Sequence, residues 1–573
     1  MNVIGAVKAY VDKMTDESEP GMKVLLMDKE TTSIISMVYS QSEIQQKEVF
    51  LLERIDSPNY ANSSGLRYLK CLCFLRPTQE NIQALCTELQ NPKYGAYYIY
   101  FSNIVAKADI KMLAEYDEQE VVKEVLELYV DYLAVNPHLF SLGIPSCMEK
   151  LSWSRNALQR SVQGLVSVAL SLRKSPIIRY QANSKLAKEL GTRVDDIMNK
   201  ESSLFDFKQA GHSLLIILDR RDDPITPLLT QWTYQAMVHE LMTINNNRVN
   251  LSSFSGVPKE LSEVVLSAEQ DAFYAKNIFM NYGEIGQNIK QLMDQFQAKA
   301  KSHQKIESIA DMKSFVESYP QFKKLSGNVS KHVTVVGELS SMVHKYHLLD
   351  VSEVEQEMSS QNDHSHHLSS VKKLIQDEKI RHHDAAKLVM IYALRYQNHS
   401  NNETSTLIEL LRKRGISERL LKDIVYLLEY AGSHARQNNL FNAEEAVKIT
   451  KRFFKGLSGV DNVYTQHKPL LHDILEDLVK SKLKDMLYPV VGNRSSGFRA
   501  QDIIVFIVGG ATYEESLTVH TFNKSYPNFN VLLGGTTIHN SNSFLEEIEN
   551  AFRGEDMLSV RKHTKHLRNV RFN

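Results

Sequence analysis

The run Asp502-Ile-Ile-Val-Phe-Ile-Val-Gly-Gly-Ala-Thr-Tyr-Glu-Glu515 is an unbroken apolar block, then two glycines, then a helix start. Apolar runs of this kind belong to strands of a parallel sheet covered on both faces. A helix-compatible segment near Tyr513 to His520 follows, then a second such run at Val531 to Leu533 and a final helix around Ser543 to Phe552. Two buried strands cannot form a stable covered sheet by themselves. They need a partner from elsewhere in the chain, and Leu214 to Leu218, within His212-Ser-Leu-Leu-Ile-Ile-Leu-Asp219, has the same character. The expectation is a discontinuous α/β domain with a long insertion between its halves.

Working outward, apolar runs at Lys23 to Met27, Val49 to Ile55, Cys71 to Leu75, Ala96 to Phe101 and Tyr132 to Val135 alternate with helix-compatible segments. This pattern predicts a doubly wound α/β domain over residues 1–136, opened by an amphipathic helix carrying Val3, Ile4, Val7, Tyr10, Val11 and Met14. Residues 137–245 form the first part of the second α/β domain and 481–552 its second part. Between them, 246–480 shows almost no strand pattern; Leu261 to Leu266, Ile306 to Val343, His382 to Tyr396, Ser405 to Arg414 and Leu470 to Met486 have helical periodicity. The fold class is therefore α/β plus helical, followed by a basic tail over 553–573.

Composition narrows the function classes. Across 573 residues, 67 Lys and Arg against 68 Asp and Glu leave a net charge of -1, which argues against a dedicated nucleic-acid binder. Four cysteines, Cys71, Cys73, Cys86 and Cys147, are too few for a disulfide scaffold and read as core residues of a protein from a reducing compartment. No apolar stretch reaches the length of a membrane span. The tail carries Arg561, Lys562, Lys565, Arg568 and Arg571 with no acid after Met557, which reads as a solvated, frayed end or a contact for anionic lipid.

Candidate chemistry is sparse. Gly509-Gly510 stands between strand and helix, where backbone N–H groups could face an anion, but neither the dinucleotide nor the phosphate-loop glycine pattern is present. A nucleotide-binding α/β enzyme using this turn is the alternative function. The loop Asp219-Arg-Arg-Asp-Asp223 has nearly balanced charge and can satisfy itself through ion pairs. His364, His366 and His367 read as a solvated inter-helix loop, and Val238-His239-Glu240-Leu241 lacks the second histidine of a zinc protease motif. No catalytic set assembles.

The segment Ile306 to Val343 is more informative. Ser308 and Asp311 have capping-box spacing, Ile309, Met312, Phe315 and Val316 share a helix face, and Pro320 interrupts it. Beyond the proline, Phe322, Leu325, Val329, Val333, Val336 and Leu339 continue a narrow apolar stripe that could pack within a hairpin or accept another helix.

Four strings carry a resemblance: Lys23-Val-Leu-Leu-Met-Asp-Lys-Glu-Thr-Thr32, the stretch Leu218 to Met237 containing Asp-Asp-Pro-Ile-Thr-Pro, the Asp502 to Glu515 run, and Leu533-Gly-Gly-Thr-Thr-Ile-His-Asn540. Together they resemble the SM (Sec/Munc-type, syntaxin-binding) family of vesicle-fusion regulators, from Met1 to about Phe552. The resemblance implies a three-domain arch that is not an enzyme and uses no cofactor or metal. It implies binding of a syntaxin (Qa-SNARE) of the trans-Golgi and endosomal pathway and of a vesicle SNARE helix. It further implies the assembled SNARE bundle and an endosomal Rab effector or tether as partners, with peripheral attachment to Golgi and endosome membranes.

The family's pocket for the syntaxin N-terminal peptide follows a strand like Ile99-Tyr-Phe-Ser-Asn103 and lies between two helices. Carried onto this chain, it consists of Val105 and Ile110 on one side and Val122, Val125 and Glu127 on the other. Val122 and Val125, one helical turn apart, would make an apolar slot, with Glu127 at its rim for a basic peptide residue. The family's SNARE-template hairpin falls on 306–343, with Pro320 at the bend and Val333 on the face turned to the partner helix.

Overall fold

Five parallel strands build the first sheet: β1 (Lys23–Met27), β2 (Val49–Arg54), β3 (Leu66–Leu75), β4 (Tyr94–Phe101) and β5 (Val122–Glu127), in the order β2-β1-β3-β4-β5. The computed structural model describes residues 1–62, 64–207, 212–303, 309–441, 466–492, 500–555, 557–564, 567 and 570–571, with side chains at all of these except 301–318, 320, 558 and 559. Four of the five strands are apolar runs expected from the sequence. The fifth expected run, Tyr132 to Val135, instead supplies β6 (Leu133–Asn136) to the second sheet, antiparallel to β7 (Leu139–Ser141). Apolar patterning marks a strand without saying which sheet it joins. The N-terminal helix α1 (Val3–Glu17) buries Val3, Ile4, Val7, Val11 and Met14 as its periodicity requires. All four cysteines are free and buried, and the Cys71 and Cys73 sulfurs lie 3.7 Å apart on one face of β3.

The place expected for Tyr132 to Val135 is taken by Val122–Glu127, which corrects the reading of Val122 and Val125 as one helical turn apart. The ladder between β4 and β5 slips between Tyr97↔Val122 and Tyr98↔Glu124. The extra residue of this bulge puts Val122 and Val125, three apart, opposite Tyr97 and Ile99 on one face. A spacing of three is therefore ambiguous between a helix and a bulged strand.

The second sheet has six strands. β8 (Ile177–Tyr180), β9 (Ser213–Asp219), β10 (Asp502–Val508) and β11 (Asn530–Gly535) are ordered β8-β9-β10-β11-β7-β6. β9 and β10 are in parallel register from Ser213↔Asp502 to Asp219↔Val508, so the discontinuous sheet forms as the apolar runs predict. A helix of the first layer, α2 (Lys107–Tyr116), links β4 to β5, and the chain between β9 and β10 is mainly helical, with α3 (Tyr282–His303), α4 (Ile309–Lys345), α5 (His382–Arg395) and α6 (Glu418–Ala431) as its principal helices. A short hairpin, Arg248–Asn250 with Glu263–Val265, replaces the helix expected at Leu261 to Leu266. The expected histidine loop is also a helix, His364–Gln376, where His364 and His367 hydrogen-bond the Tyr392 and Tyr396 hydroxyls at 2.8 and 2.6 Å. α5 is buried along Asp384 to Leu394, and its Lys387 is neutralised by Glu240 and Glu355 at 3.4 and 3.5 Å.

The insertion and the two halves of the sheet meet at the loop after β9. Arg220 is 1% exposed, and while Arg221 pairs with Asp219 inside the loop at 2.5 Å, as the balanced charge suggested, the carboxylate partner of Arg220 lies outside it. Arg220 donates through Nη2 to both carboxylate oxygens of Glu515, at 2.6 and 2.7 Å, through Nε to the Gly510 carbonyl and through Nη1 to the Asp223 carbonyl. Glu515 lies in the first turn of α7 (Tyr513–Ser525), in the other half of the domain. Its neighbours in the loop reach outward: Asp222 accepts from the Gln437 and Asn438 amides, and Asp223 from the Leu470 amide at 3.1 Å.

After α8 (Ser541–Ala551) the tail is docked rather than frayed. Val560, Leu567 and Val570 are buried in the main core cluster. Glu429 of α6 accepts from the His563 and Thr564 amides and the Thr564 hydroxyl, each at 2.9 Å. Lys565 and Arg568 lie outside the described residues. The positive charge drew attention from three apolar anchors.

Breaking a buried, hydrogen-bonded ion pair strands a charge in a dry site. Glu515→Ala is expected to lower unfolding free energy by about 3–5 kcal/mol in urea denaturation, whereas Arg220→Met with Glu515→Leu recovers most of that loss.

Candidate functional site

The strand-to-helix turn at Gly509-Gly510 has the positive φ angles, 85° and 91°, that only glycine adopts freely. Its space is already filled: a Cβ on Gly510 would stand 2.3 Å from the His539 ring, and one on Gly509 2.9 Å from Arg220 Cβ. At the start of α7, the Thr512 amide donates to Glu515 Oε2 at 2.9 Å and the Glu515 amide to Thr512 Oγ1 at 3.2 Å. This capping box places a carboxylate where a phosphate would sit. The turn is a structural joint.

The edge of the first sheet is different. β4 ends at Phe101, the chain crosses through Ser102 to Ala106, and α2 (Lys107–Tyr116) then packs on the face that carries Val122 and Val125. Val105 is buried, and its amide donates to Glu127 Oε1 at 2.8 Å; Glu127 Oε2 accepts from the Tyr129 hydroxyl at 2.7 Å. Glu127 therefore braces the crossing loop instead of standing free at a rim. Val122 and Val125 are half-buried against the same apolar cluster as Val105, and Ile110, 39% exposed, is at the outer margin of α2 one turn before the buried Leu113. Since β5 is an edge strand, its outer backbone groups have no partner strand. The structure thus brings Val105, Val122 and Val125 to one helix-and-edge-strand junction, not to a cleft between two helices, and leaves Ile110 on the exposed side of that helix.

The second candidate surface is corrected more heavily. α4 runs unbroken from Ile309 to Lys345, so Pro320 does not end the helix. A helix can carry one missing N–H donor when its neighbours hold the turn, and here the hairpin's other arm is α3, not the stretch before the proline. Phe296 of α3 stacks on Phe322 at 5.4 Å, and the Tyr282 and Ser340 hydroxyls meet at 2.8 Å. Val329, Val336 and Leu339 are buried, and Val333 packs half-buried on the cluster beneath the second sheet. The stripe mostly faces its own protein. Ser308, and the side chains of the apolar face around Phe315, lie outside the described residues.

Sequence reasoning missed the hairpin's root and its first arm. Ile285, Ile289, Leu292 and Phe296 recur at four, three and four residues, a signal that would have found α3. At the root, His332 is fully buried between Asp271 Oδ2 and the Tyr234 hydroxyl, 2.7 Å from each, and Lys331 also pairs with Asp271. Burial raises the Asp271 carboxyl, but His332 and Lys331 outweigh it and hold it well below the usual carboxylate range. Burial lowers the His332 pKa, against the opposing pull of Asp271.

The layered fold, the split sheet and the helical insertion find their counterpart in one family: residues 23–547 match the Sec1 family, and the chain belongs to it. Its fold is the family's three-domain arch. The chain is 58% identical over 550 residues to vacuolar protein sorting-associated protein 45 of Rattus norvegicus and 57% identical over 550 residues to that of Homo sapiens, covering 96% of both sequences in each case. A solved structure of the SM protein Vps45 in complex with the Qa SNARE Tlg2 superimposes with a TM-score of 0.90 at 44% identity, covering 96% of this chain and 98% of that one. Among the described residues no helix is long and apolar enough to cross a membrane.

Asp271 tests the root. With a folded pKa below its unfolded value of about 3.9, its contribution is present above that pH and lost as pH falls below it. Asp271→Ala is expected to lose about 3 kcal/mol of stability at pH 7. The gap to the parent protein should narrow below pH 4 in denaturation series.

Proposed function

We propose that this chain is an SM-type regulator of SNARE-mediated membrane fusion, acting by binding and not by covalent chemistry. Its central partner is a Qa-SNARE of the endosomal and trans-Golgi pathway. The observation that carries this reading is the 44% identical Vps45, solved in complex with the Qa SNARE Tlg2 and matched along 96% of this chain. The apolar junction of Val105, Ile110, Val122 and Val125 receives the partner's N-terminal peptide. Exposed Ile110 grips a leucine or aromatic anchor, and Glu127 positions the loop beneath it. Burying such an anchor contributes about 1.5–3 kcal/mol, roughly one to two decades in affinity.

The α3–α4 hairpin serves as the platform for the vesicle SNARE helix and the growing SNARE bundle. Because Val329, Val336 and Leu339 are spent on internal packing, the partner helix meets the other side, where Tyr319 is 47% exposed. Attachment to Golgi and endosome membranes is peripheral, through the Qa-SNARE and an endosomal Rab effector or tether.

Ile110→Arg is expected to abolish binding of the syntaxin N-terminal peptide in calorimetry without changing the melting temperature, since an apolar slot offers a guanidinium no partner. Peptide affinity equal to that of the parent would sink the pocket. On the hairpin, Tyr319→Asp should weaken capture of the vesicle SNARE helix in pull-downs, and Val333→Asp, at a half-buried position, should in addition cost stability. If Tyr319→Asp captures the helix as well as the parent does, the platform is elsewhere.

A further inference from the structure

We propose that Glu429, His434 and His563 form a site for a divalent transition-metal ion, zinc in the first instance, which clasps the C-terminal tail to the end of α6. The three side chains offer ligand atoms that all lie within 4.8 Å of one another. Glu429 is 4% exposed, and its two oxygens are differently employed. Oε1 accepts three hydrogen bonds, from the His563 and Thr564 amides and the Thr564 hydroxyl. Oε2 is thereby aimed at the histidines, 3.0 Å from His563 Nδ1. A carboxylate oriented through its second oxygen is the outer support that metal ligands generally have.

The histidines complete the donor set. Their rings stack with centroids 3.8 Å apart and an angle of 11°. Two imidazoles and one carboxylate suit zinc, copper or nickel rather than calcium or magnesium, which prefer all-oxygen shells. Metal–ligand bonds of 2.0–2.2 Å put tetrahedral donors about 3.3 Å apart. The Glu429–His563 pair already meets that spacing, and the exposed His434 ring can close the remainder by turning about its side-chain torsions.

The fourth position opens on a cleft of about 390 Å³ lined by Lys150, Lys562, Glu555 and the Asp219–Arg221 ion pair, where water can complete the shell. Glu429 and His563 are 134 residues apart in the chain. An ion at this site therefore cross-links the tail to the helical insertion, and it binds only when the tail is docked.

The test uses the full-length protein stripped with a chelator and then dialysed. Calorimetric titration with zinc chloride is expected to show one tight equivalent, and cobalt(II) should give the visible band of a four-coordinate ion. His434→Gln and His563→Gln, each folded by circular dichroism, should both weaken that equivalent at least tenfold. Zinc should slow proteolytic removal of the chain beyond Phe552 in the parent and in neither variant. No saturable equivalent, or an affinity unchanged in either variant, overturns the site. Tight binding that leaves the tail equally sensitive to protease overturns the clasp.

Discussion

One buried guanidinium holds the two halves of a split domain together. Arg220 meets a carboxylate bidentately and two backbone carbonyls at once, a planar pattern of donors that lysine could not reproduce. Burying this charge is favourable only because each of the three guanidinium nitrogens finds an acceptor and Glu515 neutralises it. The same loop sends Asp219 to Ser184 and Arg221, Asp222 to Gln437 and Asn438, and Asp223 to Leu470. Four regions distant in sequence are thus registered against five consecutive residues. Glycine at 509 and 510 follows from this, since any larger side chain would push Arg220 or His539 out of place.

The sheets were largely legible in the sequence because their central strands are buried on both faces and read as unbroken apolar runs. Legibility failed where burial was partial. β5 is an edge strand with a bulge, so its valines mimic a helical spacing. β6 is apolar enough to be recognised but contains nothing that names its sheet. The loop at Arg220 looked self-sufficient because its charges balance locally, whereas its strongest bond is to a residue in the opposite half. In the tail, five basic residues obscured Val560, Leu567 and Val570, whose burial is what fixes it. Family resemblance proposes both candidate surfaces, but the strand setting of Val122 and the helix that continues through Pro320 are not legible in it, because they depend on strand pairing and on which helix forms the second arm.

The two proposed binding surfaces differ mechanically. The proposed junction at Val105 and Ile110 rests on a five-stranded sheet whose loop is pinned by Glu127, which leaves that surface little freedom to lose on binding. The hairpin is a lever, anchored where His332 is held between Asp271 and Tyr234 and joined further out by the Phe296–Phe322 stack. Its root is tied to the cluster beneath the second sheet, so a load on the arm is felt by the same layer that Arg220 closes.

The split sheet also has a temporal consequence. On a ribosome adding roughly 5–20 residues per second, the chain between Asp219 and Asp502 takes about 15–60 seconds to emerge. Throughout that interval β9 has only β8 beside it, and Leu214 to Leu218 present an apolar edge that β10 has yet to cover. The first sheet can close early, since its strands are complete by Glu127. The second cannot, so nascent chains of this protein are an obvious client for chaperones that shield exposed strand edges until synthesis ends.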